Sequence, residues 1–309
     1  AGPRVRTRGP IAACDRSPRR PAVAILSPVS SSSDPSPPAP SSAPRATVAP
    51  LWARPVRWFR SPPREAGENM AIDEAMRRRA ADTGEVLVRA YTWARPSLSL
   101  GRNQKARGVY DPARCEAHGV AVVRRPTGGR ALLHWREVTY CVAAPHDAAP
   151  TLRGGYEAIN DWLLDALARL GVAATRAHPA AAEPPPGVAP CFEHPSAGEL
   201  VVAGRKLVGS AQHREAGGWL QHGSILLDDD QPRLRALAAV PLPPSPAPAT
   251  LRALLGPGLD AVAVVDALEA ALRARAPHLE AGARDDAVVG ASPGLIASFS
   301  TDPAWTWRR

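Results

Sequence analysis

Lys206 and Cys191 are the two residues whose types and spacing most strongly indicate covalent chemistry. The chain of 309 residues carries 38 Lys plus Arg, and only Lys105 and Lys206 are lysines. Arginine therefore serves wherever a generic positive charge suffices, whereas a buried lysine can lose a proton and an arginine effectively cannot. Cys191 lies fifteen residues before Lys206, and a thiolate beside an ammonium is suited to acyl transfer. The alternative is a lysine retained by chance on a solvated strand.

Cys191 is the best nucleophile candidate among the four cysteines because it follows a proline-rich loop. Loops held by a scaffold often carry reactive groups, whereas Cys115 and Cys141 fall within a predicted helix and a predicted strand, where cysteines are usually structural. Three histidines follow it and could favour its thiolate form, namely His194, His213 and His222. The alternative is a half-buried cysteine without a role. The cysteine spacing shows no metal-binding pattern, so we expect no metal and a reducing, cytoplasmic compartment.

The segment RRPTGGRALLH at 124–134 is a candidate ligand loop between two predicted strands. Its adjacent glycines, Gly128 and Gly129, allow the backbone to approach a ligand and expose N–H groups. Its polar side chains are candidate ligand contacts, namely Arg125, Thr127, Arg130 and His134. The segment lacks the ending of a P-loop and is not a dinucleotide fingerprint. The alternative is a Gly-Gly hairpin turn with solvated arginines.

The remaining chain predicts an α+β fold, a mixed β-sheet with flanking helices. Helical spacing and capping residues predict helices at 69–80, with Asn69 as N-cap, at 112–118, at 156–170 and at 259–275. Alternating patterns predict strands at 85–93, 97–101, 120–124, 137–144, 199–202, 205–212 and 219–227. Ala203-Gly204 is expected to be the turn of a hairpin that presents Lys206.

Composition divides the chain at about residue 50. Residues 1–50 contain eleven prolines and nine serines, which predicts a disordered tail, with an organellar transit peptide as the alternative. The tail holds +5 of the net charge of +9, so residues 51–309 are only mildly basic. They show no basic stripe for nucleic acid and no apolar run long enough for a membrane span. We expect one catalytic domain over 51–309, in which 235–309 forms a small helical part.

Five segments in order resemble the biotin/lipoate protein ligase superfamily. They are NMAIDEA at 69–75, GRNQ at 101–104, RRPTGGRALLH at 124–134, PCFEHPSAGELVVAGRKLVGSAQ at 190–212 and LQHGSILL at 220–227. The cysteine-containing segment is similar to the octanoyltransferase branch of the lipoate pathway. Trp135 is a departure, because the family usually has an acidic residue after the histidine.

The resemblance implies a two-step acyl transfer without a cofactor. Cys191 would take octanoyl from octanoyl-acyl carrier protein, and a lipoyl-domain lysine would then accept it as an amide. Lys206 would contact the acyl carbonyl. The resemblance and the glycine loop together suggest substrate-binding residues at Arg125, Thr127, Gly128, Gly129, Arg130, His134, Gly209, Ser210 and His222.

Three alternatives stay open at this level. An amidotransferase that takes octanoyl from the glycine-cleavage H protein would use the same Cys191 and Lys206. An ATP-dependent lipoate ligase would not need the cysteine. A non-catalytic acyl-binding regulatory protein would use the same pocket without turnover.

Overall fold

The computed structural model describes residues 51–149, 151–178, 198–243, 245–282, 284–285, 293–300 and 302–308. The predicted tail at 1–50 and the segment that contains Cys191 lie outside these residues, so both predictions stand as predictions. The strands are β1 Val56–Arg60, β2 Val86–Tyr91, β3 Ser97–Leu100, β4 Ala121–Arg124, β5 Leu132–His134, β6 Glu137–Pro145, β7 Thr175–Arg176, β8 Leu200–Val202, β9 Arg205–Glu215, β10 Gly218–Leu226 and β11 Leu279–Ala281. The helices are α1 Ala66–Thr83, α2 Pro112–Ala117, α3 Leu152–Arg169, α4 Leu234–Leu237, α5 Leu251–Leu255, α6 Ala261–Arg275, α7 Pro293–Ser300 and α8 Pro303–Thr306.

The larger sheet is mixed, as the sequence predicts. Its eight strands lie in the order β11-β1-β2-β6-β10-β9-β8-β7. Strand β1 runs parallel to both of its neighbours, and every pair from β2 through β7 is antiparallel. Helices α3 and α6 pack together against one face, and α1 packs on β6 and β10 from the other. Strand β6 is buried along its whole length because helices cover both faces.

A smaller sheet has β3 in the middle, with β4 parallel on one side and β5 antiparallel on the other. Its apolar residues pack with those of α2 and α4 in a core of their own. The glycine loop connects two strands of this smaller sheet, whereas the hairpin that carries Lys206 belongs to the larger sheet. Helix α1 contacts both sheets, through β4 of the smaller one and β6 and β10 of the larger one.

Helix α1 starts three residues earlier than predicted. Glu65 is the N-cap, and a capping box joins Glu65 and Glu68. Asn69 lies inside the helix, where its side-chain oxygen accepts a hydrogen bond from Arg89 at 2.8 Å. The prediction that Asn69 caps the helix is therefore wrong, because its amide is used in a buried tertiary contact. Helix α2 begins as predicted, with the Asp111 side chain accepting from the Ala113 amide.

None of the helices within these described ranges has the length and apolar character that crossing a bilayer requires. The described residues also hold no group of three or more His, Cys, Asp or Glu placed to share a metal ion.

Trp162 of α3 forms the centre of the core below the larger sheet. It is fully buried, and its ring meets Trp52, Trp58 and Tyr140 edge-on at centroid distances of 6.0, 6.4 and 5.7 Å. Its indole N–H donates to the Leu268 carbonyl at 2.9 Å, which links α3 to α6.

We expect Trp162→Ala to lower the free energy of unfolding by about 3–5 kcal/mol, the usual cost of removing a large buried aromatic ring. Urea denaturation followed by circular dichroism measures this. Leu254→Ala, at a position 36% exposed on α5, is the control and should change stability by less than about 0.5 kcal/mol. A similar small effect for Trp162→Ala would contradict a core centred on α3.

Candidate functional site

Lys206 lies on a tight hairpin between β8 and β9. The turn residues Ala203 and Gly204 have φ values of 49° and 74°, which is the left-handed pair that a two-residue hairpin turn requires. Lys206 is 3% exposed, and its Nζ lies 2.8 Å from Oε1 of Glu199, which is 6% exposed. This burial rules out the alternative of a lysine on a solvated strand.

A β-bulge decides which face of the sheet Lys206 occupies. Leu200 pairs with Val208, but Val201 pairs with Lys206, so β9 contains one extra residue at Leu207. Leu207 and Val208 both join the core under α3 and α6. Lys206 therefore shares a face with Val201 rather than with Val208. Glu199 lies two residues before Val201, on the same face, where its carboxylate meets the lysine diagonally across the hairpin.

The glycine loop crosses the end of β3 instead of forming a hairpin. It leaves β4 on one side of β3 and enters β5 on the other. Gly101 follows β3 at the crossing, and a Cβ there would lie 1.9 Å from the Gly129 carbonyl oxygen. Gly129 itself has a φ of 92°, which glycine adopts readily. The alternative of a Gly-Gly hairpin turn is excluded.

Arg125 braces this loop from inside. Its guanidinium donates to the carbonyls of Gly128 at 2.8 Å and Arg130 at 2.8 Å, and to both oxygens of Ser99 at 3.0 Å. Arg125 is 5% exposed, so this arginine is not solvated. The structure shows Arg125, Gly128 and Arg130 shaping the loop, and their contact with substrate stays a prediction.

Thr127 connects the glycine loop to β10. Its hydroxyl lies 2.7 Å from Nε2 of His222, and Nδ1 of His222 lies 2.9 Å from Oδ2 of Asp73 on α1. A carboxylate only accepts hydrogen bonds, so the proton of the neutral ring is on Nδ1 and the Thr127 hydroxyl donates to Nε2. Asp73 also accepts from Arg89 at 3.2 Å and from the Tyr91 hydroxyl at 2.9 Å.

Burial lowers the pKa of His222 below its ordinary value of 6.5, although the hydrogen bond and charge of Asp73 act in the opposite direction. Burial also raises the pKa of the Tyr91 hydroxyl, and the Asp73 charge adds to this effect. His222 is therefore neutral at pH 7, in the tautomer whose Nε2 accepts the hydrogen bond from the Thr127 hydroxyl.

His134 is held by a second buried carboxylate. Its Nδ1 lies 2.8 Å from Oε1 of Glu137, which also accepts from Thr139 at 2.6 Å and Ser224 at 2.7 Å. The His134 ring stacks on Trp93 at 4.0 Å. Burial would raise the pKa of Glu137, but the His134 charge and the three hydrogen bonds outweigh it and lower that pKa. An acidic partner for His134 is thus present, two residues beyond Trp135.

The remaining predicted residues, Gly209 and Ser210, are neighbours on β9 and pair with β10. Gly209 pairs with Ser224, and Ser210 pairs with Gly223. The Ser210 hydroxyl lies 2.7 Å from the Tyr140 hydroxyl. This contact requires glycine at position 223, since a Cβ there would lie only 2.7 Å from the Tyr140 ring. Ser210 therefore serves a hydrogen bond with Tyr140, and its contact with substrate stays a prediction.

The two described cysteines are poor nucleophiles. Burial raises the pKa of Cys141 well above its ordinary value, and the Asp73 charge raises it further. Burial likewise raises the pKa of Cys115 to about 11. Both thiols therefore stay protonated near neutral pH. Cys191 lies outside the described residues.

Sequence reasoning missed the three carboxylates that hold the predicted site residues, namely Asp73, Glu137 and Glu199. Glu199 could have been found, because it begins the predicted strand 199–202, and the pairing across the Ala203-Gly204 turn places it on the same face as Lys206. Asp73 had no such signal, since 149 positions separate it from His222.

The arrangement of the sheets is the fold of lipoate ligases. A bipartite lipoate protein ligase from Thermoplasma acidophilum, solved in a study that included its E2 lipoyl domain, superposes with a TM-score of 0.64 at 17% identity, covering 82% of this chain and 96% of that one. At that identity the likeness concerns the fold alone.

The chain belongs to the family described as the lipoyl protein ligase A/B catalytic domain, whose model matches residues 65–273. It is 45% identical over 172 residues to the octanoyltransferase LipM of Carboxydothermus hydrogenoformans, and 45% identical over 189 residues to that of Kyrpidia tusciae. The matches cover 54% and 57% of this chain and 63% and 67% of those proteins. The chain thus spans about two thirds of the length of these relatives.

We expect His222 to make stability fall with acid. Its pKa in the folded protein lies below 6.5, so its contribution is complete above that pH and is lost as the pH falls from 6.5 toward the folded value, at up to about 1.4 kcal/mol per pH unit. Urea denaturation between pH 7 and 5 measures the slope. His222→Gln should reduce this slope, whereas His178→Gln, at an exposed position, should keep it. Equal slopes for both variants would contradict the assignment.

Proposed function

We propose that this protein is an octanoyltransferase of lipoate biosynthesis. It moves octanoyl from octanoyl-acyl carrier protein to a lysine of a lipoyl domain through a thioester on Cys191. The family and the LipM relatives support the class of reaction. The observation that carries the proposal is the buried Lys206–Glu199 pair just after the segment that contains Cys191.

Backbone hydrogen bonds beside Glu199 join the residues that flank that segment on its two sides. The Ala177 amide donates to the Glu199 carbonyl at 2.7 Å, and the Gly198 amide donates to the Ala177 carbonyl at 3.0 Å. The chain therefore departs and returns beside the ion pair. Cys191 lies eight residues before Glu199 in the sequence, which makes a thiol acting next to Lys206 compatible with the chain length.

Lys206 acts in this proposal as an ammonium that polarises the acyl carbonyl. The Glu199 carboxylate, 2.8 Å away, favours the charged form of Lys206. The positive charge of Lys206 then stabilises the developing oxyanion, and such an electrostatic contact is worth more in a buried site than in water. The sequence had suggested a lysine that readily gives up its proton, and the ion pair instead favours the role of the positive charge.

The transfer then balances as two substitutions at one carbonyl carbon. The Cys191 thiolate forms a C–S bond to the octanoyl carbon, and the thiolate of the carrier protein leaves and is protonated. The lipoyl-domain amine next forms the C–N bond, the Cys191 thiolate leaves, and the amine gives up one proton. We assign that proton to the Lys206–Glu199 pair, with the Glu199 carboxylate as the terminal acceptor.

The octanoyl chain is assigned to the side of the glycine loop where Leu132 and Leu226 form a small apolar cluster. Ala131 and Leu133 pack into the core of the smaller sheet, so their side chains do not line this surface. Each methylene buried against such a surface contributes about 0.8 kcal/mol. The free thiols of Cys115 and Cys141 support a reducing, cytoplasmic setting.

Incubation with octanoyl-acyl carrier protein should add one octanoyl mass to the enzyme through a hydroxylamine-sensitive bond, followed by transfer to a lipoyl domain without ATP or magnesium. Mass spectrometry of the intact protein measures both steps. Cys191→Ala should abolish labelling, and Cys14→Ala should retain it. Labelling that persists in Cys191→Ala would reject the thioester.

The same assay separates the alternatives. Transfer from free octanoate plus ATP, retained in Cys191→Ala, would favour a ligase. Transfer only from an octanoylated H protein would favour an amidotransferase. Binding of octanoyl compounds without turnover of any donor would favour a regulatory protein.

Lys206→Arg should lower the rate of transfer by about 100-fold or more, as removal of one oxyanion-hole donor does. The planar guanidinium retains the charge but does not fit a site built for a compact ammonium. Single-turnover kinetics of acyl-enzyme formation measures this. Lys105→Arg, at the other lysine, which is exposed, is the matched control and should react normally. A rate near that of the unmodified protein for Lys206→Arg would show that the lysine is only a counter-charge for Glu199.

A further inference from the structure

We propose that residues Asp302–Arg308, named here the tail segment, position the glycine loop by fixing the turn at 101–104 beneath it. The tail segment lies beyond the residues matched by the family model, which end at 273. The contacts that hold the loop do not depend on the proposed function.

The first contact joins the tail segment to the end of β4. Arg124 is fully buried, and its Nε donates to the Thr306 carbonyl at 2.9 Å. In return, the indole N–H of Trp305 donates to the Arg124 carbonyl at 2.8 Å. A buried guanidinium is tolerated only when carbonyl or carboxylate oxygens surround it. Thr306 is thus part of what makes the position of Arg124 stable.

Arg124 also holds the turn that follows β3. Its Nη1 donates to the carbonyls of Gly101 and Gln104, the latter at 2.9 Å. One side chain therefore contacts the tail segment and both ends of the turn.

The second contact holds the same turn from its outer side. Arg308 donates from Nη2 to the Arg102 carbonyl, and its guanidinium lies 4.1 Å above the Trp305 ring. Arg107 donates to the Trp307 carbonyl. The carbonyls of the turn thus accept hydrogen bonds from Arg124 and Arg308. Arg308 belongs to the tail segment, and Arg124 is oriented by its hydrogen bond to the Thr306 carbonyl.

The turn passes this constraint to the glycine loop. The Arg102 amide donates to the Thr127 carbonyl at 2.8 Å, and the Arg125 amide donates to the Leu100 carbonyl at 2.9 Å. Gly101 leaves no room for a side chain under the Gly129 carbonyl. A turn that moved would therefore move Thr127 and Gly129, and with them the hydrogen bond from Thr127 to His222.

The tail segment has enough local structure to act as an anchor. Asp302 caps α8 by accepting from the Ala304 and Trp305 amides at 2.8 and 3.2 Å. The Trp305 ring meets Phe299 of α7 edge-on at 6.1 Å. Helix α7 in turn packs closely on α1, since a Cβ on Gly67 would overlap the Ser300 side chain. The anchor is thus tied to the helix that carries Asp73.

Hydrogen–deuterium exchange resolved by NMR tests the proposal on the full chain. In Trp305→Ala, the amides of Arg102 and Arg125 should exchange about tenfold faster than in the unmodified protein, which corresponds to about 1.4 kcal/mol of local opening free energy. Arg308→Ala, a milder change, should raise the exchange of the Arg102 amide about fivefold. Trp307→Phe is the matched control, because it keeps the backbone carbonyl that accepts a hydrogen bond from Arg107. It should leave the exchange rates of the Arg102 and Arg125 amides unchanged.

Amides of β10 that are remote from Thr127 in the strand, such as those of Leu220 and Ile225, serve as the internal reference. Faster exchange confined to the turn and the glycine loop supports positioning. Unchanged exchange at Arg102 and Arg125 in both Trp305→Ala and Arg308→Ala overturns it, and so does an equal rise throughout β10, which indicates only a loss of global stability.

The kinetics of acyl transfer provide a second test of the role of the tail segment, and this test rests on the proposed function. A loosened loop should raise KM for the octanoyl donor about fivefold while kcat changes less than twofold, since the Lys206 hairpin is untouched. If no donor is turned over at all, the proposed function fails, while the exchange experiment still decides the role of the tail segment.

Discussion

The carboxylate of Asp73 is the interaction on which the arrangement of the site depends. It is fully buried and accepts hydrogen bonds from Arg89 and Tyr91 of β2 and from His222 of β10. A charge removed from water is tolerated only when its partners are in place, so this one residue fixes α1 against two strands of the sheet. It also selects the tautomer of His222, and through that ring it sets the orientation of Thr127. Helix packing and ligand-loop geometry are therefore consequences of the same desolvated carboxylate.

A local irregularity in the sheet controls the second half of the site. Without the extra residue at Leu207, strict alternation would place Lys206 on the face of Val208, inside the apolar core under α3. The bulge allows Val208 to join the core with Leu200, while Lys206 stays on the opposite face, which Val201 and Glu199 share. The core under α3 remains apolar, and the charged pair lies where the strand has lost one ladder pairing. Bulges are common beside functional sites because they redirect a side chain in this way.

The sequence predicted the elements whose signals are local. The turn at Ala203-Gly204, the cap at Asp111 and the mixed α+β character are confirmed, since each depends on turn chemistry or hydrophobic spacing within a few residues. The start of α1 was wrong because the type of Asn69 favours a cap, whereas a tertiary contact with Arg89 uses its amide. The crossing of the glycine loop over β3 was not predictable either, because a Gly-Gly pair between two strands is equally compatible with a hairpin. Glu199 and Glu137 lie close in sequence to Lys206 and His134, whereas Asp73, the partner of His222, is brought there by packing that a single sequence does not show.

The glycine loop is held on three sides before any ligand is present. Arg125 fixes its carbonyls from within, His222 accepts from Thr127, and the turn at Gly101 meets it from below. Each contact uses groups that are buried and hydrogen-bonded, so the loop has few other conformations of similar energy. Such a loop presents preorganised backbone dipoles, and the free energy of ordering it is spent during folding. The Lys206 hairpin follows the same principle, because the Glu199 carboxylate orients the Lys206 ammonium. Both halves of the candidate site therefore take their shape from buried hydrogen bonds and an ion pair that form when the chain folds.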